Sequence, residues 1–361
     1  MKKLFPSFIF ALIPGHAASA QTGRRNIAQM KNHSWKRLFL AIAVVCDLSL
    51  TYGSRPAVAE EGGSGHYFPG SMSDFIDAVP PSPTFIVRYN QLYYSGSVGA
   101  KKAIPIAGFT TLGLSATSWG EGLSLLWRPP IKMGERWSYA MSATIPLVQM
   151  NVSASAVVGL PGRGPVSISR SGSLNALGDV ILMPLMFNYN VNPNFNVNIR
   201  VGFYVPTGSY TVGHLANTGK NYFTTEPTLG LVYLGTKNGR EASLYTGIDF
   251  NTENNATHYQ SGTQFHLDGT LAQHLPLLKG LAGIGVTSFY YQQVTGDSGP
   301  GATFGDFEST SAGIGPVLSY IKPKSKTGHV DFMADLKWLN EYYTKNRLQG
   351  NTVFVKLVLK F

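Results

Sequence analysis

Hydrophobic and polar residues alternate one by one along much of this chain. In 195–205, Phe195, Val197, Ile199, Val201, Phe203 and Val205 fall on one face, with Asn196, Asn198, Arg200, Gly202 and Tyr204 on the other. The stretch 242–251 sets Ala242, Leu244, Thr246, Ile248 and Phe250 against Ser243, Tyr245, Gly247, Asp249 and Asn251. Further on, 330–338 opposes Val330, Phe332, Ala334, Leu336 and Trp338 to Asp331, Asp335 and Lys337. The last nine residues place Val353, Val355, Leu357, Leu359 and Phe361 on one face and Lys356 and Lys360 on the other. A period of two marks strands with one apolar and one polar face.

Twelve such strands are predicted, at about 84–95, 113–128, 137–149, 178–190, 195–209, 223–235, 241–252, 263–275, 281–293, 309–321, 328–339 and 351–361. Short turns (129–136, 191–194, 236–240, 276–280, 322–327) alternate with longer links (96–112, 150–177, 210–222, 253–262, 294–308, 340–350). Short turns at one end and long loops at the other is the pattern of an outer-membrane barrel, and an even strand number brings both chain ends to the short-turn side. Pro316 falls inside a strand, where it cannot donate a ladder hydrogen bond, so a bulge or a strand boundary is expected there.

Composition narrows the choice. Only 13% of residues are charged while 12% are aromatic, and no run approaches the roughly 20 apolar residues of a spanning helix. A soluble sandwich also alternates, but it needs neither the loop asymmetry nor aromatic pairs near strand ends such as Tyr93-Tyr94, Tyr290-Tyr291 and Tyr342-Tyr343. The predicted fold is therefore all-β: an antiparallel up-and-down transmembrane β-barrel over 84–361, in the outer membrane of a Gram-negative bacterium.

The net charge of +10 is concentrated at the start. Residues 1–59 hold eight of the 29 basic residues and one of the 19 acidic ones, leaving a net of +3 on the remainder and no basic stripe for nucleic acid. Two signal-like segments lie in tandem there. The second, 30–59, has Lys31, Lys36 and Arg37, an apolar run from Leu38 to Val45, and Ala57-Val58-Ala59 as a cleavage site. This predicts Met30 as the true start and Glu60 as the mature N-terminus. The single cysteine, Cys46, lies in the leader, so the mature chain has no disulfide. Residues 60–83 are rich in Gly and Pro, and are expected to form a periplasmic or lumen segment, with Phe68 and Phe75 as candidate gate or plug residues.

The order of Gly62-Gly63-Ser64-Gly65-His66-Tyr67-Phe68-Pro69-Gly70, Gly178-Asp179-Val180 before Pro184, Pro206-Thr207-Gly208, and Gly313-Ile314-Gly315-Pro316 resembles the outer-membrane proteins called "meta-pathway of phenol degradation". The resemblance covers essentially the mature chain. It implies a barrel associated with aromatic catabolism and uptake of hydrophobic compounds, and supplies no catalytic residues.

Alternation places Arg88, Arg200, Tyr204, Tyr245, Asp249, His266, Asp268, Asp331, Asp335 and Lys337 in the lumen, as candidate residues of a solute path. His266, Asp268 and His274 share a strand face at metal-like spacing, but lining of a polar lumen is the preferred reading, since no third strong ligand stands out in the sequence. No phosphate loop, zinc helix or nucleophile elbow occurs, so no enzyme, cofactor or metal is expected. The predicted function is passive uptake of small hydrophobic or aromatic compounds, with a structural or adhesive barrel, or a barrel enzyme, as the rival readings. The predicted partners are outer-membrane lipid, those solutes, and the barrel assembly machinery, which would meet the strand ending in Phe361. Arginine at Val201 should be costly in lipid, whereas Asn198→Arg should be tolerated in an aqueous lumen.

Overall fold

The computed structural model describes residues 64–106, 109–158, 166–302, 308–322 and 331–361. The expected leader, signal and mature start at Glu60 lie outside the described residues. The strands are β1 (Thr84–Ile106), β2 (Phe109–Arg128), β3 (Trp137–Val158), β4 (Val166–Leu177), β5 (Val180–Asn192), β6 (Phe195–Val205), β7 (Thr224–Leu234), β8 (Arg240–Asn251), β9 (Gln264–Leu277), β10 (Gly280–Gln293), β11 (Thr310–Lys322), β12 (Asp331–Lys345) and β13 (Gln349–Lys360).

All pairings are antiparallel and join chain neighbours, except that β5 pairs with β3 instead of β4 and that β1 pairs with β13 to close the sheet. The ring has twelve staves. β3 pairs with β5 through Trp137–Thr144 and with β4 through Leu147–Val158, so β4 and β5 lie end to end as one stave interrupted at Gly178-Asp179. The interruption faces Pro146, whose carbonyl accepts the Gly178 N–H at 2.9 Å.

Three links expected as loops are largely strand. Much of 96–112 belongs to β1 and β2, much of 150–177 to β3 and β4, and 340–350 to β12 and β13. Apolar and polar residues do not alternate strictly in these links, as in Lys101-Lys102-Ala103-Ile104-Pro105-Ile106. On β2 the outward row runs Trp127, Leu125, Leu123, Glu121, Trp119, Thr117, Ser115. Its wholly polar end fits a wall that leaves the hydrocarbon and continues into water. Trp119, Trp127, Trp137 and Trp338 are all exposed on the outer face, as an interfacial aromatic girdle requires.

Prolines interrupt ladders without ending strands. Pro316 stays inside β11 and pairs with Val286 of β10, but the register with β12 lapses between Ile314 and Val317. Pro227 and Pro184 coincide with similar gaps. The β9–β10 turn is only Leu278-Lys279, both at positive φ (49° and 61°), the geometry that matches hairpin twist.

Candidate functional site

Residues 64–83 run inside the barrel and fill one side of its lumen. A single 3-10 turn, Phe75–Asp77, is capped by Asp74, whose side chain accepts the Ile76 N–H at 3.0 Å. Phe75, Ile76 and Val79 pack with Ile86, Leu126, Met186, Tyr245 and Val358 of the wall in one buried cluster. Burying this apolar turn drives docking, and charge pairs fix its position.

Those pairs sit at the lower end. Lys356 places its ammonium 2.7 Å from both oxygens of Asp77, and Arg88 adds a 3.3 Å contact. Arg88 and Arg200 donate to the backbone oxygens of Ile76 and Asp77, each at 2.8 Å. Lys337 lies 2.7 Å from Asp74 and 3.6 Å from Asp335, and donates to Ser73. Glu241 accepts the Phe75 N–H at 2.9 Å, and Tyr245 donates to the Asp74 carbonyl. Burial alone would raise the Asp74 and Asp77 carboxyls, but Lys337 and Lys356 respectively outweigh it and hold both below the ordinary carboxylate range.

Higher in the lumen, the Tyr67 hydroxyl and the Gly70 N–H donate to Asp268 at 2.7 and 2.5 Å. Asp268 lies 2.9 Å from Nδ1 of His266, whose Nε2 is 3.1 Å from Glu226. The Tyr67 ring stacks on the His266 ring at 3.5 Å. Tyr204 donates to Glu226 at 2.7 Å and stacks against His66. Nε2 of His66 lies 2.8 Å from Asp179, which also accepts the Gly208 and Lys220 N–H groups. Asp179 thus ties the strand break, the β6–β7 loop and the internal segment together. Burial holds the His66 imidazole below its usual value despite Asp179.

Between the internal segment and β1, β2, β3 and β5 lies a cavity of about 460 Å³. Leu92, Leu114, Leu126, Met150, Val152 and Met186 supply apolar walls, Phe68 and Met72 belong to the segment, and Tyr210 and Leu215 of the β6–β7 loop complete the lining. This volume is within the range of small-molecule sites, and the lining joins those apolar side chains to neutral polar groups (Asn90, Ser124, Thr144) and to the charged anchors Asp77, Arg88, Arg200 and Lys356.

Nine of the ten lumen candidates point inward near the segment or its anchors: Arg88, Arg200, Tyr204, Tyr245, Asp249, His266, Asp268, Asp335 and Lys337. Asp331 stands apart at the base of β12, partly exposed and 3.2 Å from Lys360. Arg200 and Tyr204 line the cavity, whereas Tyr245 and Lys337 are fully buried under the segment. Phe68 borders the cavity and Phe75 is buried in the docked turn. Asn198 corrects one expectation: it is 1% exposed and accepts the Arg200 Nε–H at 2.7 Å, so there is no water-filled space for an arginine. Lys356 and Glu226 lie on the polar faces of their strands without having stood out. Asp74, Asp77 and His66 carry no periodic signal, because their segment is irregular apart from the one short 3-10 turn.

A twelve-stave barrel with an aromatic girdle and a chain segment inside its lumen is the architecture of a Gram-negative outer-membrane protein. The chain belongs to the family described as "Putative MetA-pathway of phenol degradation", whose model matches residues 101–357. Among solved structures it is similar in fold to an outer membrane channel from Pseudomonas putida F1, with a TM-score of 0.59 at 15% identity, covering 82% of this chain and 100% of that one. A Pseudomonas aeruginosa FadL homologue matches more loosely, at 0.35 and 9% identity over 85% of this chain and 98% of that one. No curated protein matches in sequence.

Proposed function

We propose that this protein is a passive conduit for small hydrophobic or aromatic compounds, serving cells that degrade aromatic rings. The observation that carries the reading is the asymmetry of the lumen. The internal segment is held by charge pairs to Lys337 and Lys356, and between it and β1, β2, β3 and β5 a cavity of about 460 Å³ with apolar walls is left. Family membership and a fold shared with an outer membrane channel support it. The buried carboxylate–imidazole groups serve structure in this reading, not chemistry: Glu226, His266 and Asp268 are 0–1% exposed, beyond a substrate's reach. The exposure of Phe361 (56%) is compatible with its being met by the barrel assembly machinery, the partner expected for this strand.

Purified protein in liposomes tests the reading. Phenol-sized apolar solutes should cross faster than sugars of similar mass, relative to empty liposomes. Equal rates for both, or no increase over empty liposomes, would overturn it.

A further inference from the structure

We propose that Glu226, Asp249 and His266, with Gln264 beside them, form a divalent transition-metal site that locks the internal segment in the lumen. One ligand atom from each of the first three lies within 4.8 Å of the other two, the spacing expected of donors around a single ion, and all three side chains are buried. They come from neighbouring strands: Asp249 of β8 pairs with Gln264 of β9, and Glu226 lies on β7 at the inward position next to them.

Two further observations point to a ligand. The first is the orientation of His266. Asp268 lies 2.9 Å from Nδ1, which leaves Nε2 directed at Glu226. A carboxylate on one ring nitrogen, fixing the tautomer and freeing the other, is the usual support of a metal-bound histidine. A Cβ at Gly247 would clash with Nε2, so glycine at that position is what lets the imidazole sit as it does. The second is Gln264. Its side chain is fully buried, yet neither Oε1 nor Nε2 has a hydrogen-bond partner. A buried amide left unsatisfied is costly, and a cation beside Asp249 would use its oxygen.

The donor set is one imidazole nitrogen with carboxylate and amide oxygens. Calcium and magnesium prefer oxygen alone, whereas a nitrogen in the set suits zinc and its neighbours. Because Asp268 also accepts from Tyr67 and Gly70, an ion on His266 would stiffen the same linkage that holds the segment. Metal occupancy would therefore set how firmly the lumen is closed.

Zinc retention by the detergent-solubilised full-length protein tests this. After stripping with chelator, incubation with Zn²⁺ and desalting, the wild type should retain about one zinc ion per chain. His266→Gln and Asp249→Asn should retain less than about a tenth of that, while His274→Gln, at a buried histidine paired with Glu241, should match the wild type. Altered mobility of unboiled protein on gels reports whether each variant folds. If the ligand variants fail to fold, the wild type decides: zinc, but not calcium, should raise its melting temperature and protect Tyr67 from cleavage by chymotrypsin. Wild-type retention below about a tenth of an ion per chain, or equal retention by folded His266→Gln, would overturn the proposal.

Discussion

Lys356, on the strand that closes the barrel, holds Asp77 of the internal segment through both carboxylate oxygens at 2.7 Å. The two residues are 279 positions apart, and both are almost fully buried. An ion pair so placed does little for stability against an apolar pair of the same shape, but removing one partner leaves a buried charge and costs about 3–5 kcal/mol. Asp77→Asn should therefore release the segment while the barrel survives. Conductance in planar bilayers should rise, and protease should cut within 64–83. Combining Asp77→Asn with Lys356→Met should restore part of the closure.

The same pairs set a pH response. Asp74 and Asp77 titrate below their ordinary range in the docked state. A carboxyl with a lowered folded value contributes stability in full above its unfolded value, near pH 4, and loses it as pH falls toward the folded value. The segment should stay docked from pH 7 to about pH 5 and loosen progressively below about pH 4. Protease accessibility of 64–83 as a function of pH measures this. Loosening on the alkaline side would contradict it.

Val201 and Asn198 test the two faces of β6. Val201→Arg near the bilayer midplane should cost about 2–4 kcal/mol in a folding assay, and Val201→Leu much less. Asn198→Arg should also be destabilising, because it would crowd a buried site and unpair the Arg200 Nε–H. Its cost should fall on docking of the segment, because Arg200 also donates to Asp77.

Much of this was legible in the sequence where faces contrast strongly. β6, β8 and β13 show it best: Val197 and Ile199 face out while Arg200 faces in, and Leu357 faces out while Lys356 faces in. Legibility failed where contrast fades, as in 96–112 and 150–177, which belong largely to β1–β4. It failed too for the internal segment. Asp74 and Asp77 owe their positions to Lys337 and Lys356, more than 260 residues away, and no local pattern encodes such pairing. His266 and Asp268 were visible as neighbours on one face, but Glu226, which completes their arrangement, is 40 residues earlier on another strand.

On the proposed route, small apolar solutes pass beside a docked segment, through the cavity walled by β1–β3 and β5. Entry of a phenol-sized solute into liposomes, compared between wild type, Met150→Trp and Ile145→Trp, tests it most directly. Met150 lines the cavity, whereas Ile145, on the same strand, is 54% exposed on the lipid face. The account predicts that Met150→Trp slows entry several-fold and that Ile145→Trp leaves it unchanged. Equal rates for all three proteins, with the segment still docked, would contradict it.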